Sequence, residues 1–458
     1  MKIYIYILIT LASTCLSQEI YTGYIIEGHD TLDIFSYQIP SNYLESNQHP
    51  LLIAFHQWGG NQNSPYSTSF DEEAETRNWI FLSPFGGSSN NYNHQAAQDY
   101  VKKAILWIMD NFSINKQKIY MVGGSMGGAA GAIYANNLFD PTEPMVAATA
   151  SASGILDCER RAIEMDGNNS MIEWFGGNWD EVPFEYHRNS AVYFADSTQS
   201  MHYNLQYTPL YLDFGSTEPH RIHAEDLYNL ISNYNEHMWI DIMPSAGHGY
   251  SVIDELHACD WLNQYELVDN PNIINVNLDE PSRAYWAEAF NQLENDNFIR
   301  LKCERWPENE YHINELSNSD TLLFHILDDL IPSEIEFHNN EPNSTLTIGV
   351  TGTSPLIPII SDISFDGFGN YYWDNLNLED GVIYIDNIST GMYTLYLTAN
   401  EDINLDGIWD ILDIALLIGF IIEESSPSEI ELITGDVNQD EILDILDIML
   451  IVNIILDN

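Results

Sequence analysis

Residues 118–138 read KIYMVGGSMGGAAGAIYANNL. An apolar run stops at two glycines, a serine follows, and a helix of small residues begins at once. Gly123, Gly124, Ser125, Met126 and Gly127 fit G-x-S-x-G, and a strand before and a helix after is the context that pattern requires. On such a strand-to-helix turn the serine hydroxyl stands clear of the backbone, because the glycines bring strand and helix together without a Cβ between them. The Met126 N–H, at the helix N-terminus, points toward a developing oxyanion. Phosphate-binding readings fail on residue type: there is no Lys-Ser/Thr pair of a P-loop and no third glycine at dinucleotide spacing.

The flanking sequence continues the alternation. HPLLIAFH (49–56), NWIFLSPFG (78–86), KIYMVGG (118–124), MVAATASASG (145–154) and TPLYLDFG (208–215) read as buried strands, and QAAQDYVKKAILWIMDNF (95–112) has helical apolar spacing. Alternation over about 20–268 predicts an α/β domain with a mostly parallel sheet. A serine nucleophile in such a domain needs an acid and then a histidine downstream. FGSTEPH (214–220) places Glu218 in a polar turn past a strand, and MPSAGHGYSV (243–252) places His248 in a glycine-flanked turn after MWIDIM. His248 then serves as base and Glu218 fixes its tautomer. Asp213, inside the strand, and Glu225, in the following helix, are the alternative acids. FHQWGG (55–60) follows an earlier strand and offers a second oxyanion N–H, from Trp58 or from Gln57. His56 in that loop is expected to hold it by hydrogen bonds. Trp174, Phe175, Trp179 and Tyr186, within 155–207, are candidates for an aromatic wall of the site.

These residues resemble the α/β-hydrolase fold, in the branch of polyhydroxybutyrate depolymerase-like esterases, feruloyl and acetylxylan esterases and the catalytic domain of prolyl oligopeptidases. TPLYLDFGSTEP…HAEDLYNLI, AGHGY and EYHRNSAVYFA (185–195) carry the resemblance over roughly 30–268. His-Gly is usual where this chain has His56-Gln57. SRAYWAEAF (282–290) and DTLLFHILDDLIPSEIEFHNN (320–340) are similar to the small β domain that trails some of these secreted enzymes.

The N-terminal MKIYIYILITLASTCLSQEI has the charge, apolar run and small residues of a secretory signal, with cleavage expected near Ser17, so residues 1–17 are set apart and the mature domain begins at 18. The run is too short to span a bilayer, and no later segment reads as a span. With 69 acidic against 14 basic residues the formal charge is −55, which repels nucleic acid and anionic membranes. Three cysteines remain after the signal, Cys158, Cys259 and Cys303, at no metal-binding spacing; export permits a disulfide, and Cys158–Cys259 is the pairing expected.

The α/β domain is assigned to 18–268, with VDNPNIINV (268–276) as a linker. Beyond it FIRLKCERW, TLLFHIL, EIEFHN, STLTIGV and GVIYIDNISTGMYTLYLTA are short strands separated by Asn, Gly, Pro and Asp. They predict an all-β sandwich region over 269–400, open to division into two small units, 272–340 and 341–400.

The last segment, 401–458, repeats itself. DINLDGIWDILDI begins at Asp402 and DVNQDEILDILDI at Asp436. Loop positions 1, 3, 5, 9 and 12 carry oxygen donors: Asp402, Asn404, Asp406, Asp410 and Asp413 in one loop, Asp436, Asn438, Asp440, Asp444 and Asp447 in the other. Ile408 and Ile442 at position 7 offer backbone carbonyls. Ca²⁺ takes six to eight oxygens in such a wrap, so two Ca²⁺ sites are expected. Gly407 fills the sharp-turn position of the first loop, where the second has Glu441. The pair resembles a type I dockerin, a two-loop calcium module that docks proteins to a cohesin partner. The usual polar recognition pair is here Ile411-Leu412 and Ile445-Leu446. Docking to a cohesin-like or cell-surface partner and bracing of the preceding β region both stay open.

The whole implies a secreted serine hydrolase acting on esters, with polysaccharide esters or polyesters as substrate and no cofactor for catalysis. A prolyl-oligopeptidase-type peptidase is the alternative. Such enzymes usually carry a large propeller before the catalytic domain, whereas here the α/β pattern starts just after the signal, which favours the esterase. A non-catalytic binding or scaffold protein is the second alternative.

Overall fold

The computed structural model describes residues 19–457 apart from 167–169, 220, 245–246, 308, 327–333, 342–344, 352–358, 366–375, 380–381, 399–402, 405–409, 423, 428 and 439–441. The expected signal segment, Asp402, Asp406, Ile408 and Asp440 lie outside the described residues. The chain forms two compact units.

The first unit comprises the N-terminal part to Tyr134, Val146–Glu181 and Thr208–Leu267. Its strands are β1 (Tyr21–Glu27), β2 (Asp30–Gln38), β3 (His49–Phe55), β4 (Ile80–Pro84), β5 (Ile114–Gly124), β6 (Ala148–Ala152), β7 (Leu210–Gly215) and β8 (Met238–Met243). They make one sheet in the order β1-β2-β4-β3-β5-β6-β7-β8. β2 runs antiparallel to β1 and β4, and β3 through β8 are mutually parallel. Parallel strands need crossovers, which α1 (Phe70–Thr76), α2 (Gln95–Asn111), α3 (Met126–Asn137) and the helix Arg221–Ile231 supply. The central strands are buried on both faces, and Leu52, Phe81, Tyr120, Tyr211 and Trp261 belong to one core cluster. This is the α/β-hydrolase fold, a mixed sheet in which the turns after β5, β7 and β8 carry Ser125, Glu218 and His248.

The second unit comprises Ala135–Met145, Val182–Tyr207 and Val268–Asn458. The first two segments fall inside the α/β domain in the sequence, yet they pack with residues beyond 268. Arg188 pairs with Asp279 at 2.5 Å, Asn204 exchanges hydrogen bonds with Asn277 at 2.8 Å, and Phe184 meets Phe298 at 4.9 Å between ring centres. The linker is shorter than expected, because β9 (Ile273–Leu278) already pairs with β12 (Ile299–Trp306). The other strands are β10 (Arg283–Ala284), β11 (Ala287–Ala289), β13 (Glu310–Ser317), β14 (Thr321–His325), β15 (Glu334–Asn339), β16 (Leu346–Thr351), β17 (Ile359–Phe365), β18 (Leu376–Glu379), β19 (Val382–Ile388) and β20 (Gly391–Thr398). Two six-stranded sheets result, β10-β11-β14-β16-β19-β18 and β17-β20-β15-β13-β12-β9. Division into 272–340 and 341–400 is therefore corrected: β14 pairs with β16 and β15 with β20, so each sheet draws strands from both stretches. Phe324 of one sheet packs on Tyr311 and Phe337 of the other, which makes the pair a sandwich.

The expected Cys158–Cys259 disulfide is also corrected. Cys158, Cys259 and Cys303 are all buried free thiols. Cys158 opens the helix Cys158–Glu164, whereas Cys259 lies in the apolar cluster beneath the sheet, and burial pushes its thiol up to about 12. Such thiols behave as small core hydrophobes.

Candidate active site

Ser125 sits between β5 and α3 at φ +56°, a backbone region that non-glycine residues avoid. Three hydrogen bonds hold it there: Ser125 N–H donates to Ala152 O at 2.8 Å, and Ser125 O accepts from Gly128 N at 2.9 Å and Ile155 N at 3.2 Å. The turn cannot loosen at Gly127, where a Cβ would lie 2.5 Å from His56 O. Strain of this kind persists only where the surroundings over-determine it.

His248 and Glu218 converge on this serine. His248 Nε2 lies 2.7 Å from Ser125 Oγ, and its Nδ1 lies 2.6 Å from Glu218 Oε2. Glu218 is nearly buried, and its other oxygen, Oε1, accepts from Ser153 Oγ at 2.6 Å and Gly215 N at 3.0 Å. Burial pushes the Glu218 carboxyl up, but the hydrogen bonds from His248, Ser153 and Gly215 outweigh it, and the net shift is downward. It therefore stays anionic beside an imidazole. Asp213 is buried within β7, where burial pushes it up to about 7, the wrong direction for that task. Glu225 is engaged by Arg221 at 3.2 Å. Ser153, itself at φ +55°, is the residue that sequence reasoning misses; the SASG run ending β6 is the only local signal for it.

The loop after β3 stands beside the elbow. His56 is buried, with Nδ1 2.8 Å from Gln57 O and Nε2 2.9 Å from Phe85 O, so it fastens this loop to the one after β4. Gly59 N–H donates to Ser89 O at 2.7 Å, adding a second tie. The Gln57 side chain lies over Gly249, where a Cβ would collide with Gln57 Oε1; Gly249 also needs φ +69°. Met126 is the first residue of α3, so its N–H has no carbonyl within the helix to receive it. The Trp58 indole is exposed and donates to Ser170 Oγ at 3.2 Å. Trp174 donates to Asn90 Oδ1 at 3.4 Å and stacks on His94 at 4.4 Å; burial pushes His94 down to about 4, so that ring is neutral. Of the other wall candidates, Phe175 is buried packing, Trp179 is half-buried, and Tyr186 is core of the second unit.

The tail holds a second candidate site. Two of its helices, Ile411–Ile421 and Ile445–Asp457, follow the two loops, and Ile403, Leu417, Phe420 and Ile451 form a small core. Asp410 caps the first helix, with a capping box to Asp413. Asp413 is fully buried; its Oδ1 accepts from the Ile403 and Asn404 amides at 2.9 and 3.1 Å, and its Oδ2 from Asp410 N at 2.9 Å. Asp447, also fully buried, repeats this with Asn438 N at 3.2 Å and Asp444 N at 2.8 Å. The second loop's equivalence thus extends to its hydrogen bonds, and Asp436 and Ile442 lie in that loop. Not one Lys, Arg or His occurs between 401 and 458, so no side chain of the tail can offset these carboxylates. A set made only of oxygen donors around buried anions fits a hard cation such as Ca²⁺.

Residues 400–456 match the dockerin type I domain family, whose members bind calcium. No curated protein matches the chain. Among solved structures, the chain is similar to a fluorophosphonate-binding serine hydrolase of Staphylococcus aureus (14% identity, 54% of this chain and 98% of that one, TM-score 0.39). It is also similar to an acetyl xylan esterase from Aspergillus awamori (12%, 54% and 99%, TM-score 0.39). A third is the feruloyl esterase module from Clostridium thermocellum complexed with sinapinate (12%, 54% and 88%, TM-score 0.38). Among the described residues, no helix is long and apolar enough to cross a membrane.

Proposed function

We propose, from a chain that joins an α/β-hydrolase domain to a type I dockerin, that the protein is a secreted carboxylic ester hydrolase carried to its site of action by its tail. The observation that carries this reading is the relay from Glu218 through His248 to Ser125 on a strained turn, with spacings of 2.6 and 2.7 Å. Ser125 Oγ attacks the ester carbonyl while His248 Nε2 takes its proton; Glu218 holds Nδ1–H and stabilises the imidazolium. The Met126 amide and an amide of the Trp58 or Gln57 loop stabilise the oxyanion. His248 returns the proton to the leaving alcohol, and water, activated by the same histidine, releases the acid from the acyl-serine. Trp58, in the loop that stands beside the elbow, suits an aromatic acyl group or a sugar ring.

For the tail we propose two Ca²⁺ ions, held by Asp402, Asn404, Asp406, Ile408 O, Asp410 and Asp413 and by Asp436, Asn438, Asp440, Ile442 O, Asp444 and Asp447. Bound Ca²⁺ supplies the positive charge these loops lack, and the module then presents a cohesin-like partner, at the cell surface or in an extracellular assembly, with an apolar face. Ile411, Leu412, Ile445 and Leu446 are all exposed at the two loop ends. Plant or algal polysaccharide esters are the substrate class that suits such a placement.

A fluorophosphonate probe tests the catalytic reading. Wild type should label at Ser125 and hydrolyse aryl acetates, and Ser125→Ala should do neither. Folded wild type that neither labels nor turns over acetates, feruloylated sugars or prolyl peptides would leave the chain as a scaffold. Cleavage of prolyl peptides alone would make it a peptidase.

A further inference from the structure

Two tripeptides, Glu310-Tyr311-His312 and Glu336-Phe337-His338, share the pattern Glu-aromatic-His. They lie on β13 and β15, which are parallel neighbours in register: Glu310 faces Glu336, Tyr311 faces Phe337, and His312 faces His338. Side chains alternate along a strand. Tyr311 and Phe337 point into the sandwich, where both meet Phe324, at 5.6 and 4.9 Å between ring centres. The two glutamates and two histidines are therefore gathered on the opposite, outer face.

They converge rather than fan out. His312 Nε2 lies 2.6 Å from Glu310 Oε1, and His338 Nε2 lies 3.3 Å from the same oxygen while also bonding Glu336 Oε1. The imidazole rings stack at 4.2 Å with an interplanar angle of 16°. One ligand atom each from Glu310, His312 and His338 falls within 4.8 Å of the others. The pocket they make is half-shielded, with the His312 and Glu310 side chains 12% and 26% exposed. On β12, Glu304 stands opposite His312 in the ladder, and the Trp306 ring packs 4.3 Å from that histidine.

We propose that Glu310, His312 and His338 form a transition-metal site that takes Zn²⁺, with Glu336 at its edge beside His338. Two imidazole nitrogens and one carboxylate oxygen, with water as the fourth ligand, are a borderline donor set suited to four-coordinate Zn²⁺, whereas Ca²⁺ selects oxygen alone. With bonds of about 2.1 Å, ligand atoms of a tetrahedron sit about 3.4 Å apart. The 3.3 Å separation already matches, and the 2.6 Å contact has to open by about 0.8 Å. The overall charge of −55 concentrates cations at the surface. β13 and β15 are joined in sequence only through β14 of the other sheet, so the ion ties together strands that the chain itself connects at a distance. This site is separate in chemistry from the all-oxygen loops of the tail and from the serine relay, neither of which it needs.

The test is calorimetric titration of the full chain with ZnCl₂ in millimolar Ca²⁺, which occupies the tail. One Zn²⁺ is expected to bind with a well-defined stoichiometry. His312→Ala and His338→Ala should each weaken it by ~10-fold or more, on the scale seen when even outer partners of metal ligands are removed, and the double variant should abolish it. Asp413→Ala should leave it unchanged. A Zn²⁺-dependent change in tryptophan emission, absent in Trp306→Phe, is expected as well. If the alanine pair does not fold, His338→Gln carries the same comparison. Failure of wild type to bind Zn²⁺ overturns the proposal, as does equal binding by the folded histidine variants with only their melting temperature lowered. In that last case the four residues are cross-strand ion pairs and nothing more.

Discussion

Glu218 and Asp413 are both buried carboxylates at the two proposed sites, and the regions that hold them supply different kinds of compensation. Glu218 receives a side-chain N–H from His248, a hydroxyl from Ser153 and an amide from Gly215. Asp413 receives three backbone amides and, in a tail without Lys, Arg or His, no side-chain cation. Burying a charge carries a penalty of several kcal/mol unless it is paired and hydrogen-bonded. The hydrolase region meets that requirement within the chain. The tail meets it only in part and leaves the remainder to an ion. One region should therefore be indifferent to chelator and the other indifferent to loss of the serine.

The largest expected effect breaks the first half of that comparison. Ser125→Ala should lower ester hydrolysis by about 10⁶-fold, as nucleophile removal does in serine hydrolases. Its melting temperature and its Ca²⁺ response should be those of wild type. Glu218→Gln should cost about 10⁴-fold in turnover, because an amide holds the wrong tautomer of His248 without moving it. Aryl acetate kinetics measure both, and a loss under about tenfold for Glu218→Gln would return the orienting role to another acid. Gly249→Ala should cost about 10²-fold, since a Cβ there collides with Gln57 and strains φ +69°, displacing His248 by a fraction of an ångström.

Next in size is the tail. Ca²⁺ at about 1,000 times its Kd should stabilise the module by about 4 kcal/mol. Scanning calorimetry with and without chelator should show one transition move while aryl acetate turnover stays constant. Asp413→Ala and Asp447→Ala should each remove part of the shift. Turnover that falls with chelator would mean the two regions are coupled.

How far the sequence reveals this arrangement depends on the range of the signal. The elbow, Glu218 and His248 are readable because each lies at the end of a strand whose own apolar run is local, and strand-end turns are where α/β folds place chemistry. The tail loops are readable because they occur twice. Ser153 is not readable, since a serine among SASG is common and only its hydrogen bond to Glu218 shows its use. Glu310, His312, Glu336 and His338 pass for ordinary strand residues, because their meeting depends on β13 pairing parallel with a strand that is not next in sequence. The same non-local pairing hides the unity of the β sandwich. The free thiols mislead for a related reason: export allows a disulfide, but only packing shows that Cys158 and Cys259 occupy different apolar surroundings.

The smallest effect compares two carboxylates of the hydrolase region itself. Glu218 has its folded pKa lowered, so its contribution to stability is present above its unfolded value of about 4.3 and is lost as pH falls through the folded value. Asp213 is raised to about 7 by burial, so the folded state holds its proton more tightly than the unfolded chain does. Stability then declines as pH rises from about 3.9 to about 7. Melting curves of wild type, Glu218→Gln and Asp213→Asn between about pH 3 and 8, taken as differences so that the tail's many acids cancel, should diverge with opposite signs. Glu218→Gln should flatten the acid limb below about pH 4.3, and Asp213→Asn should gain on wild type toward about pH 8. Equal slopes in all three would show that neither environment distinguishes its carboxylate, leaving distance alone to favour Glu218 over Asp213 beside His248.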